Sequence, residues 1–216
     1  MASSLGSRMA YNKAVEAINR SGFSAGQAVL SPGYLRTEQT LVTGKTVYTF
    51  PILQNDSSQG TINPTEQRLA LQDGFYCSSI GIFLSATGSS SVLQTYPDSS
   101  IFTGAGDSAA LGTIYNSWMS ITVNNRQIVP YYDLSRHYFA PQTQTTSPAA
   151  TGKTLTNQNN LSSDGFYPIE PGIVLIGSKN NQVQVTLPAG MTLTTQTYKL
   201  VIVFRGHNGQ NITPVR

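Results

Sequence analysis

The segment YKLVIVFRG, residues 198–206, alternates its apolar side chains with a period of two. Tyr198, Leu200, Ile202 and Phe204 fall on one face, and Val201 and Val203 on the other. Successive side chains of an extended chain point to opposite faces, so this pattern in β-branched and aromatic residues commits the segment to a strand. The same period governs the chain from residue 34 onward. KTVYTFPI sets Tyr48, Phe50 and Ile52 on one face, with Pro51 marking an edge or a strand end. QRLALQ pairs Leu69 with Leu71.

In FYCSSIGIFLS, Tyr76, Ile80, Ile82 and Leu84 share one side, and Cys77, Gly81 and Phe83 the other. Both faces are apolar or small, which is the signature of a central strand. SWMSITV aligns Met119, Ile121 and Val123 against Trp118, whose place within a strand points to a core role. Asn124-Asn125 is a two-residue hairpin turn, since Asn tolerates positive φ, and RQIVPYYD runs back from it. GIVLIG and NQVQVTLP predict another hairpin across Ser178-Lys179-Asn180.

These segments amount to about eight or nine strands at the spacing of a β-sandwich or barrel, with no βαβ alternation. Residues 140–161 and 97–112 are polar loops between them. Asp73-Gly74-Phe75-Tyr76 recurs as Asp164-Gly165-Phe166-Tyr167, a repeat that convergent turn chemistry explains, with two related jelly-roll sheets or a duplicated ligand loop as the alternative.

The first residues differ. RMAYNKAVEAINR, residues 8–20, predicts a short helix with Ser7 as N-cap and Ser21-Gly22 as its stop. Tyr11, Val15 and Ile18 form its apolar stripe. An isolated helix this short is marginal, so the stripe docks either on its own sandwich or on another chain. The organisation expected is an N-terminal arm over residues 1–33 and a β-sandwich over 34–216.

Composition bounds the use of such a fold. Asp, Glu, Lys and Arg make 11% of 216 residues, where an ordinary soluble domain has about 25%. Charge keeps monomers soluble and sheet edges apart, so a chain that omits it is expected to have its surface covered by other copies. The 13 basic residues are scattered rather than clustered, which argues against a dedicated nucleic-acid site. No apolar run reaches the ~18 residues of a membrane span. With one cysteine, Cys77, no intramolecular disulfide exists, and the thiol reads as an inert core group. The opening MASSLGSRMA lacks the apolar core of a signal peptide, so assembly in a reducing cytoplasm is expected.

Signs of catalysis are sparse. His137 follows Asp133 closely in sequence but has no nucleophile motif with it, and His207 in RGHNG reads as a loop residue. No metal-ligand or phosphate-loop spacing occurs, and no cofactor is expected. Asp73 and Asp164 read as turn formers. Contact chemistry remains. Interfaces enrich Tyr, Trp and Arg and deplete Lys and Glu. Tyr131, Tyr132 and Tyr138 beside Arg136 form a candidate anchor patch, and Tyr11, Val15 and Ile18 a candidate docking stripe.

RLALQDGFYCSSIGIFL, SITVNNRQIVPYYDLSRHYF, DGFYPIEPGIVLIGSKNNQVQVTLP and YKLVIVFRGHNGQN resemble single jelly-roll capsid or capsid-decorating proteins of bacteriophages of Bacteroidota, including the crAss-like phages, over roughly residues 40–210. The resemblance implies a jelly-roll β-sandwich, a self-associating virion subunit that packs on other virion proteins, and no catalytic residues. A carbohydrate- or receptor-binding sandwich module of a phage fibre is the alternative. An exposed Trp beside Asn or Asp groups would favour it. An enzyme on a jelly-roll scaffold, such as a metal cupin, lacks the His cluster it needs.

Overall fold

The computed structural model describes residues 4–24, 29–54, 62–86, 92–140, 143–145, 154–156, 165–194, 197–210 and 213–214. In chain order these form α1 (Ser4–Arg20), β1 (Phe23–Ser24), β2 (Val29–Thr40), β3 (Val47–Pro51), β4 (Gly74–Ser85), α2 (Asp107–Gly112), β5 (Trp118–Val123) and β6 (Arg126–Asp133). Then follow β7 (Thr143–Thr145), β8 (Thr154–Thr156), β9 (Phe166–Ile176), β10 (Asn181–Thr186), β11 (Lys199–Gln210) and β12 (Thr213–Pro214).

Eight of the strands make two four-stranded antiparallel sheets, ordered β2-β11-β4-β9 and β3-β10-β5-β6. The chain crosses between the sheets at nearly every connection, and each sheet interleaves early strands with late ones. Two Greek keys wound in this way are a jelly roll. Non-local pairing is forced by the core. Leu35, Phe50, Ile82, Met119, Leu175, Val185 and Ile202, from seven different strands, are all buried in one cluster between the sheets. Burying each such side chain contributes about 1.5–3 kcal/mol.

The β11 alternation holds. Tyr198, Leu200, Ile202 and Phe204 enter the central core, and Val201 and Val203 form a second cluster with Phe83 on the outer face. The β4 alternation breaks. The register slips between Cys77 and Ser79 against both neighbouring strands, so Phe75 and Cys77 join Ile80, Ile82 and Leu84 inside. Tyr76, expected with Ile80, is displaced to the other face, because a bulge adds one residue and inverts parity. Buried Cys77 has its pKa pushed up to about 12 by desolvation.

Other expectations are corrected by tertiary pairing. GIVLIG and NQVQVT are not a hairpin: β9 pairs with β4 in one sheet, while β10 pairs with β3 and β5 in the other. Residues 177–180 therefore turn the chain between sheets. QRLALQ is no regular strand. It crosses from Arg36, which bridges Gln67, to Leu53, which bridges Leu69, leaving Leu71 exposed. His207 lies in β11 opposite Tyr76 and Pro32, not in a loop. The 97–112 loop contains α2, and the 140–161 loop contains the β7–β8 ladder. The sandwich begins at Val29, earlier than residue 34, because β2 continues its pairing with β11 as far as Gln210.

The helix begins at Ser4, so Ser7 lies within it rather than capping it. It packs on the outer face of its own sheet. Ile18 is buried with Ile176, and Val15, Leu30 and Val174 pack around them. Ala14 is also buried, whereas Tyr11 is exposed. No helix among the described residues is long and apolar enough to cross a membrane.

The Asn124-Asn125 turn is as expected, with φ of 52° and 61° joining β5 to β6. Left-handed backbone costs a β-branched residue roughly 1–2 kcal/mol. Asn125→Val is expected to lower stability by about that much, and Asn125→Gly to leave it nearly unchanged. Chemical denaturation checks this, and equal midpoints for the two variants would refute it.

Candidate interaction surface

The turn after Asn125 places β6 at the open edge of its sheet, where Pro130 costs no ladder hydrogen bond. Two register shifts against β5 set the facing of its end, with Met119 opposite Tyr132 and Trp118 opposite Asp133. Tyr132 then points inward and is buried, while Tyr131 points out and is 77% exposed. The Trp118 ring meets the Tyr131 ring edge-on at 5.1 Å. Trp118 is therefore half-buried on the outer face and not in the core as expected, because Met119 takes the inward position.

Beyond β6 the chain makes a 3-10 turn at Ser135–His137. Asp133 holds it, accepting from the Ser135 backbone N–H at 3.0 Å and the Ser135 hydroxyl at 2.7 Å. These bonds, led by the backbone one, keep the Asp133 carboxyl below its usual range. Arg136 lies over the Tyr132 ring at 4.8 Å, with its Nε 3.9 Å from Asp133. Tyr138 is half-exposed and meets Tyr115 edge-on at 5.2 Å. Phe139 is tied to Thr95, whose hydroxyl donates to its carbonyl at 2.6 Å.

His137 turns inward and is fully buried. Its Nδ1 lies 2.9 Å from the Gly165 carbonyl and its Nε2 3.2 Å from the Tyr132 hydroxyl. A carbonyl only accepts, so Nδ1 carries the proton and Nε2 accepts from Tyr132. Burial lowers the His137 pKa to about 4 and raises that of Tyr132 to about 12. Both ring nitrogens are occupied within the fold, and Asp133 bonds Ser135 rather than His137. The Tyr167 ring covers His137 at 5.2 Å, joining β9 to this edge.

The result is an aromatic edge where β6 and β9 lie side by side. Among the described residues, Tyr131, Tyr138, Phe139 and Tyr167 are four of the six exposed aromatic side chains, and Ile128 of β6 is exposed as well. Of the sequence candidates, Tyr131, Arg136 and Tyr138 reach this surface, while Tyr132 supports it from beneath. Tyr11 is exposed elsewhere on α1, and Val15 and Ile18 are engaged by their own sheet. Sequence reasoning missed Trp118, Phe139 and Tyr167. Pro130 was the available signal, since it marks β6 as an edge whose outward residues meet solvent.

Elsewhere, a groove of about 570 Å³ between α1 and β9 is lined by Lys13, Glu16, Arg20, Tyr76 and Glu170, with Ile128 linking it to the aromatic edge. Its ion pairs, Lys13–Glu170 and Glu16–Arg20, are solvent-exposed. Among the described residues no three His, Cys, Asp or Glu side chains gather as metal ligands. Of the repeated DGFY motif, Asp164 lies outside the described residues. Phe75 enters the core whereas Phe166 packs on the outer face with Phe83, so the two copies do different work.

Comparison of the chain with family models, curated proteins and solved structures finds no match in any of the three.

Proposed function

We propose that this chain is a virion structural protein: a capsid or capsid-decorating subunit of a bacteriophage, assembled in the host cytoplasm, that self-associates and packs on other shell proteins. A jelly roll serves many purposes, so the fold alone does not carry the reading. The aromatic edge carries it. A chain with only 11% charged residues places Tyr131, Tyr138, Phe139 and Tyr167, most of the exposed aromatics among its described residues, on or just beyond β6 and β9. Monomers rarely leave such patches uncovered. Sparse charge also lowers the desolvation cost of covering the rest.

Light scattering on the purified chain over a wide concentration range tests this. Mass is expected to grow with concentration, and copurification with DNA-filled particles is expected from infected cells. A stable monomer in concentrated solution, absent from particles, would overturn the proposal.

One observation favours a second reading, a carbohydrate- or receptor-binding module of a phage fibre. Trp118 is half-exposed, with Asp133 opposite it and Tyr131 alongside. Quenching of Trp118, the one tryptophan, by a glycan from an array would support that reading over the first.

A further inference from the structure

We propose that the β6–β9 aromatic edge is a two-fold interface between copies of this chain, anchored on Tyr131 and Tyr138. The inference rests on the self-association reading and identifies its surface.

The two sides of the sandwich are finished differently. On the β2–β3 side, residues 62–70 form a strap. Gln67 exchanges backbone hydrogen bonds with Arg36 of β2, and the Leu69 N–H donates to Ile52 just past β3. Glu66 and Arg68 lock the strap with a 3.0 Å ion pair whose side chains are 0% and 2% exposed. That side is closed. Among the described residues no such strap crosses the β6–β9 side, which presents aromatic rings.

Strand addition by an extended peptide does not fit this edge. Pro130 interrupts β6, and Pro168 and Pro171 interrupt β9, so neither offers a continuous row of N–H donors. The partner must contact side chains. A nucleic acid or acidic surface does not fit either, because Arg136 is balanced by Asp133 at 3.9 Å. What fits is a surface of the same mixed chemistry, and this chain provides one. Each copy presents exposed rings and an exposed guanidinium, so a two-fold axis lets Arg136 of one copy stack on rings of the other. A head-to-tail contact needs a second, different complementary surface, and among the described residues the strapped side presents a single exposed ring, Tyr34.

The exposed rings supply a large part of the area a dimer needs. At 150–250 Å² for a fully exposed aromatic side chain, Tyr131, Tyr138, Phe139 and Tyr167, at 77%, 50%, 45% and 40% exposure, leave roughly 400 Å² of ring surface open. That is about half of the ~800 Å² each partner contributes to a standard interface. Ile128, Trp118 and Arg136 flank the rings and extend the patch.

Sedimentation velocity on the full chain tests the inference with Tyr131→Asp, Tyr138→Asp and, as a control on the strapped side, Tyr34→Asp. Each position is at least half-exposed, so the variants are expected to fold, and far-ultraviolet circular dichroism checks it. Wild type and Tyr34→Asp are expected to dimerise alike, with Tyr131→Asp and Tyr138→Asp weakened at least about 30-fold. Association that both edge variants leave intact would overturn this interface while sparing the self-association reading. A wild type monomeric at every concentration would overturn both.

Discussion

Replacing Glu66 with alanine is expected to cost about 3–5 kcal/mol of stability, the loss that follows removal of one partner from a buried ion pair. Oε1 of Glu66 accepts from the Glu38 backbone N–H at 3.0 Å and from Arg68 at 3.2 Å. Oε2 accepts from the Asn63 N–H at 2.9 Å and from Arg68 at 3.0 Å. One carboxylate thus satisfies backbone donors on two segments and neutralises a guanidinium that is itself buried. Alanine leaves those donors and the Arg68 charge without it in a site that water does not reach. A domain of this size has about 5–15 kcal/mol in total, so the effect is a large fraction. Glu170→Ala, which removes the exposed partner of Lys13, is expected to cost under about 1 kcal/mol. Urea denaturation of both variants reads the contrast. A Glu66→Ala loss no larger than that of Glu170→Ala would show that the strap is not held this way.

Acid is expected to destabilise the fold through His137, beginning below about pH 6.5. The folded pKa is lowered from 6.5 to about 4 by burial, so the unfolded chain binds the extra proton between these values. Stability is therefore complete above about pH 6.5 and falls as pH drops to about 4, by on the order of 3 kcal/mol. The structural cause is direct. A second ring proton on Nε2 puts a positive charge in a buried site near the Arg136 guanidinium and turns the Tyr132 hydroxyl from donor to acceptor. His207, half-buried and also lowered by desolvation, acts in the same direction, so His207→Gln is the background for the measurement. Glu38 extends the loss to lower pH. Burial alone raises its pKa, but hydrogen bonds from Thr65 and Lys199 and the charges of Arg36 and Lys199 outweigh that and hold it below 4.5. Denaturant midpoints from pH 7 to 4 are expected to drop steeply in the His207→Gln background and to flatten once His137→Gln is added. Parallel slopes in the two proteins would exclude His137 as the titrating group.

How far the sequence could be read varied by element. The alternation in β11, β3 and β5 and the Asn124-Asn125 turn depend on neighbours in sequence, and each stands in the fold as expected. Readings that assumed unbroken alternation or local pairing did not. The bulge at Ser78 inverted the facing of Tyr76, and the Ser178–Asn180 turn joined two sheets rather than two strands of a hairpin. The candidate surface was half legible. Tyr131, Arg136 and Tyr138 stood together in the chain, while Trp118, on the face expected, was read as a core residue, and Tyr167 arrives from β9, more than thirty residues from Tyr131.

Period-two hydrophobicity determined that this chain is built from strands, and scarce charge determined what kind of surface those strands present. Both are sums over local residues, legible wherever side-chain facing follows chain order. The order of strands in the two sheets, the buried Glu66–Arg68 lock, the neutral His137 and the gathering of rings along one edge were decided only by tertiary structure. Each requires residues far apart in the chain to share one place, and alternation along a strand says which face a side chain takes, not which strand it meets.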